Sequence, residues 1–89
     1  MRIVDEWNQN KMKVTAFLMN GRYSVKLEQN LLEQTYKFRD DQITSVDQLK
    51  EKMNKEFYSD CIRQFQQMDI NRLKLLPDTD VEDHFPSII

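Results

Sequence analysis

An α+β fold is predicted by three features of this sequence, as a three-stranded antiparallel β-meander packed on one long C-terminal amphipathic helix, with a short N-terminal helix or strand. Residues 11–39 alternate apolar and polar side chains with the period of two that marks half-buried strands. Asn20-Gly21 interrupts that alternation, and both residues tolerate the positive φ angles of a two-residue hairpin turn. From Val46 onward the apolar residues recur at steps of three and four, the period of a helix with one buried face.

At the start of the chain, Ile3, Val4 and Trp7 fall at i, i+1 and i+4, which favours one helical turn over a short edge strand. Trp7 is the only tryptophan and is expected as a lid on the core.

With Asn20 and Gly21 as the turn, Met19 faces Arg22, Leu18 faces Tyr23, Ala16 faces Val25 and Val14 faces Leu27. One face of this hairpin is apolar; the other carries Phe17/Ser24, Thr15/Lys26 and the opposite-charge pair Lys13/Glu28. A turn over residues 28–31 leads to a third strand, in which Leu32, Gln34, Tyr36 and Phe38 share the core side. The pairing that achieves this sets Glu28 against Glu33, a destabilising like-charge contact, so a slipped register is the competing arrangement.

Ser45 is the predicted helix cap, with Gln48 in position to complete a capping box and Asp47 in the first turn. Val46, Leu49, Met53, Phe57, Cys61, Phe65 and Met68 form the buried stripe, and Ser59-Asp60 offers a second cap that would break the helix near Tyr58. Residues 70–76 fit either a helical extension or a short strand, the extension being the expectation, and Pro77 ends it. The expected organisation is thus one small domain over residues 1–76 and an acidic, then apolar, tail over 77–89, with Asp78, Asp80, Glu82 and Asp83 followed by Phe85 to Ile89.

Composition narrows the function more than it names it. A 39% apolar chain of 89 residues with one glycine and two prolines is a folded domain without a flexible linker, and no internal repeat stands out. A single cysteine excludes an intramolecular disulfide and points to a reducing compartment, and neither a signal peptide nor a membrane-spanning run is present, so a soluble cytoplasmic protein is expected. One histidine, His84, in the tail, and one glycine, needed for the turn, leave no zinc site, phosphate loop or catalytic triad to build. No enzyme and no cofactor are expected, and Cys61 reads as a buried, inert thiol.

The net charge of −2 is unevenly spread. Residues 11–39 carry Lys11, Lys13, Arg22, Lys26, Lys37 and Arg39 against Glu28 and Glu33, so that this stretch is +4 and the remainder −6. On the outer sheet face Phe17, Met19, Arg22, Lys26, Lys37 and Arg39 come together as the expected interaction surface. Such a face can be covered by the chain itself, through the Trp7 segment or the acidic tail. It can also meet a protein partner or a second copy in a homodimer, or bind nucleic acid through phosphate contacts and base stacking on Phe17.

In outline, a short helix, three strands and a long helix are similar to double-stranded RNA-binding domains, and a three-stranded sheet on one helix resembles AP2 and integrase arm-binding modules. Ser45-Val46-Asp47-Gln48-Leu49-Lys50 opens the long helix with mixed charge, where the RNA-binding family places lysines, so no family is assigned from motifs. The expectation is a non-catalytic binding module acting through protein contact or homodimerisation, with nucleic-acid binding as the alternative.

Overall fold

Three asparagines ten residues apart set the architecture. A computed structural model of the chain describes residues 1–77, and in it Asn10, Asn20 and Asn30 each take a positive φ at the first position of a two-residue turn. Asparagine enters this left-handed region more readily than other non-glycine residues, because its short amide can bond locally. Lys11 and Gly21 follow with φ of 66° and 77°, so the first two turns have the double positive φ of type I′ geometry, which suits the twist of a hairpin.

These turns join four strands, β1 (Arg2–Gln9), β2 (Met12–Met19), β3 (Arg22–Gln29) and β4 (Leu32–Lys37), into one antiparallel sheet in chain order. The expected meander is therefore present with one strand more than the sequence suggested. The N-terminal segment is β1, and not a helical turn. Its register against β2 shifts by one residue between Ile3 and Asp5, which lets Val4 and Trp7 face the core together although they are an odd number of residues apart. That bulge reproduces the spacing of a helix. With a strand in first place, the helix-first order of double-stranded RNA-binding domains is not the order of this chain.

The hairpin registers follow the alternation of the sequence. Met19 pairs with Arg22, Ala16 with Val25 and Val14 with Leu27, while Glu28 does stand opposite Glu33 and Val25 opposite Tyr36. Burial of the apolar face outweighs the like-charge pair, since a slip by one residue would turn that whole face to water. Glu28 finds its counter-charge on its own strand, in Lys26 at 3.6 Å, whereas Lys13 is taken by Glu6 at 3.4 Å.

Two helices, not one, lie over the sheet: α1 (Val46–Lys52) and α2 (Lys55–Leu73). The break falls at Met53-Asn54, earlier than the Tyr58 position that the sequence offered. Asn54 caps α2 by accepting a 2.9 Å hydrogen bond from the Phe57 N–H, and asparagine is better suited to a cap than to a helix interior. Ser45 caps α1 as expected, accepting from Gln48 N–H at 3.1 Å. The Gln48 amide oxygen closes back one residue further than a standard box, onto the backbone N–H and hydroxyl of Thr44. Of the extension expected over residues 70–76, the part as far as Leu73 is helical and residues 74–76 form a turn.

Met12, Val14, Ala16, Val25 and Leu27 from the sheet are buried against Leu49, Tyr58, Cys61 and Phe65 from the helices, joined by Ile43 and by Met53 at the break between them. Gln34 also faces this core, where its side-chain N–H donates to the Cys61 carbonyl at 2.9 Å and its amide oxygen accepts from the Tyr36 hydroxyl at 3.1 Å. A buried amide satisfied on both sides avoids the cost of an unpaired polar group. Leu18, opposite Arg2 in the last pair of β1 and β2, is half-buried and outside the core cluster. Among the described residues no helix is long and apolar enough to cross a membrane. The expected tail, from Asp78 to Ile89 and including His84, lies outside the described residues.

Candidate functional site

Strand alternation sends Phe17 and Met19 of β2, Arg22, Ser24 and Lys26 of β3 and Lys37 of β4 to the sheet face that carries no helix. Their rows are set by the register: Met19 beside Arg22 at the β2–β3 turn, then Phe17, Ser24 and Lys37, then Thr15, Lys26 and Thr35. A shallow groove of about 670 Å³ opens at the turn end, lined among others by Met1, Met19, Arg22, Ser24, Lys37 and Arg39. Four of the six residues expected from sequence thus border one concavity. Phe17 and Lys26 lie beside it, the Lys26 ammonium 5.5 Å from the centre of the Phe17 ring.

The fourth strand adds what sequence reasoning missed. Ile3 of β1 stands opposite Phe17 and is exposed, and Met1 reaches the groove, so the apolar part of the surface is larger than Phe17 and Met19 alone. β1 also brings Glu6 to this face, opposite Thr15, which is buried in the middle of it. Trp7 is not available as a cover here. It lies on the helix side, where its indole N–H donates to the Tyr58 hydroxyl at 3.0 Å and the Lys50 ammonium sits 4.7 Å from the ring centre.

The cations of the groove are not equivalent. Arg22 is paired with Asp40, and Lys26 with Glu28. Among the described residues Lys37 and Arg39 are exposed and have no carboxylate within ion-pair distance. The uncompensated positive charge is therefore concentrated where β4 ends.

Burial pushes the Cys61 thiol up from its ordinary range, with a smaller opposing effect of the Tyr36 hydroxyl, and burial likewise pushes Tyr36 up. Both groups are neutral at pH 7 and belong to the core. Among the described residues no three histidine, cysteine or carboxylate side chains converge on a point where a metal would sit.

Among the described residues the exposed large apolar side chains fall into two sets. Met1, Ile3 and Met19 mark the groove end; Leu31, Ile70, Leu73 and Leu75 are exposed elsewhere. The direction of α2 places this second set. Phe57 packs its ring 5.7 Å from that of Tyr36, and Cys61 meets Gln34, so α2 advances as β4 recedes toward its start. Leu73 and Leu75 therefore lie toward the β3–β4 turn that holds Leu31, away from the groove.

Comparison with protein-family models, with curated proteins and with solved structures gives no significant match for this chain.

Proposed function

We propose that the chain is a non-catalytic protein-interaction module that works through the turn end of its outer sheet face. The observation that carries this reading is the composition of one surface, with Met1 and Met19 beside Lys37 and Arg39 around an open groove and the Ile3–Phe17 pair adjoining it. Exposed apolar side chains gathered on one patch with charged groups at the rim are the pattern of a protein contact surface.

A protein partner is favoured over nucleic acid because this face is mixed in sign. Glu6, Glu28 and Glu33 lie on it in register with the lysines, and Arg22 is already bound to Asp40. A phosphate backbone needs a run of free cations to drive counterion release. Among the described residues of this face only the end of β4 supplies them.

Sedimentation of the full chain over a concentration series, with and without Phe17→Glu, tests the reading in its self-associating form. A carboxylate on the apolar patch is expected to shift association to higher concentration. A protein that sediments as a monomer throughout and is unaffected by the change rules out the homodimer version, and salt-sensitive binding of DNA or RNA would replace the reading by its alternative.

A further inference from the structure

We infer that two copies of this chain meet head to tail, the exposed end of α2 and the acidic residues that follow it in one copy seating on the groove end of the sheet in the next. The inference rests on the proposed use of the outer face and names its occupant. Three observations carry it.

The first is the separation of the exposed apolar groups into two sets at opposite ends. Among the described residues Met1 and Met19 border the groove with Ile3 next to them on β1, and Ile70 and Leu73 lie in the last turn of α2 with Leu75 just beyond it. A patch paired with its own symmetry copy would need one such set. Two sets at opposite poles suit a heterologous contact, in which each copy offers a different surface.

The second is charge. Lys37 and Arg39 stand without ion-pair partners among the described residues at the groove end. Directly after the helix the sequence places Asp78, Asp80, Glu82 and Asp83. Opposite potentials brought together in this way fix orientation as well as attraction.

The third is reach, which separates contact within one chain from contact between two. Phe57 packs on Tyr36, next to the groove, and the 16 residues from Phe57 to Leu73 advance about 24 Å along the helix away from it. The Cα of Asp80 can lie no more than about 11 Å from Pro77 and that of Asp83 no more than about 21 Å with the chain drawn straight, and a carboxylate extends about 3 Å beyond its Cα. Asp78 and Asp80 therefore fall short of the cations of their own copy, so the four acids cannot all neutralise them, whereas a neighbouring copy is free to present all four.

Charge exchange in the full chain tests this. One variant reverses the acids (Asp78→Lys, Asp80→Lys, Glu82→Lys, Asp83→Lys) and another reverses the groove cations (Lys37→Glu, Arg39→Glu), with circular dichroism to verify that each remains folded. The parent is expected to associate with rising concentration, each variant alone at least about tenfold more weakly, and an equimolar mixture to recover association, because opposite charges again face each other. Variants that associate like the parent, or a mixture no better than its parts, overturn the inference. If Met19→Glu disrupts association and reversal of the acids does not, the sheet face is used by a different occupant; the inference then fails and the proposed function stands. A parent that stays monomeric at every concentration overturns the head-to-tail contact and leaves the face to a partner other than a second copy.

Discussion

The Trp7 indole N–H donates a 3.0 Å hydrogen bond to the Tyr58 hydroxyl, tying the first strand to the second helix. Around this link Lys50 of α1 reaches across to pair with Asp5 and to cover the Trp7 ring, so both helices are held to β1, although the closest packing of α2 on the sheet is with β4. Tyr58→Phe keeps the buried ring and removes the acceptor, and is expected to cost about 1 kcal/mol. A double-mutant cycle with Trp7→Phe is expected to return a coupling of roughly 0.5–1.5 kcal/mol in denaturant unfolding; additive effects would contradict a direct contact.

Lys11 holds a φ of 66° in the β1–β2 turn, where a side chain has no advantage over glycine. Lys11→Gly is expected to stabilise the protein by roughly 0.5–1 kcal/mol, since relief of the left-handed strain exceeds the entropy that glycine adds to the unfolded chain. Gly21→Ala tests the same physics with the opposite sign. Nothing lies within 4 Å of an added methyl group there, so its expected loss of about 1 kcal/mol is conformational. Denaturant midpoints for both variants decide.

Glu28 and Glu33 face each other across β3 and β4. Glu33→Lys turns this into an opposite-charge pair and is expected to raise stability by about 0.5 kcal/mol, an effect that fades at high salt. A salt-independent change would mean that the gain has another origin.

The stability of the fold is expected to fall at both ends of the pH scale. Cys61 and Tyr36 have folded-state pKa values raised by burial above the ordinary 9.0 and 10.0, so the folded protein keeps protons that the unfolded chain loses. Their contribution is intact below about pH 9 and is lost as pH climbs through the raised values. Asp5 works in the other direction: the hydrogen bond from Lys50 is the main cause that lowers its pKa below 3.8, so its contribution is present above that pH and disappears as acid protonates it. Cys61→Ala is expected to flatten the alkaline limb of a pH–stability profile, and Asp5→Asn the acid limb. Profiles unchanged by these substitutions would exclude the assignments.

The hairpin register, the Ser45 cap and most of the core were legible in the sequence because each rests on local chemistry: Asn20-Gly21 for the turn, alternation for the faces, a serine ahead of an amphipathic run. The first strand was not, since the extra residue between Ile3 and Asp5 gives Val4 and Trp7 a helical spacing. A signal was nevertheless present in the ten-residue recurrence of Asn10, Asn20 and Asn30, which marks all three turns. The helix break at Asn54 was hidden because the apolar stripe continues from Met53 to Phe57 without a change of step, and only the cap itself shows where the axis ends. At the candidate site, the residues from β2, β3 and β4 could be grouped from register alone. Met1 and Ile3 joined them only once β1 was a strand, and the pairing of Arg22 with Asp40 depends on the path of the chain beyond β4.

Methionine footprinting tests the use of the groove end most directly. Met19 is 51% exposed at its rim and Met12 is fully buried in the core, so one molecule carries both the reporter and its control. Brief oxidation with peroxide, read residue by residue, is expected to convert Met19 to the sulfoxide in dilute protein and progressively less as protein concentration rises, with Met12 unreactive throughout. Met19 oxidised to the same extent at every concentration, and with every candidate protein partner added, would contradict the assignment of this surface as the one that is used.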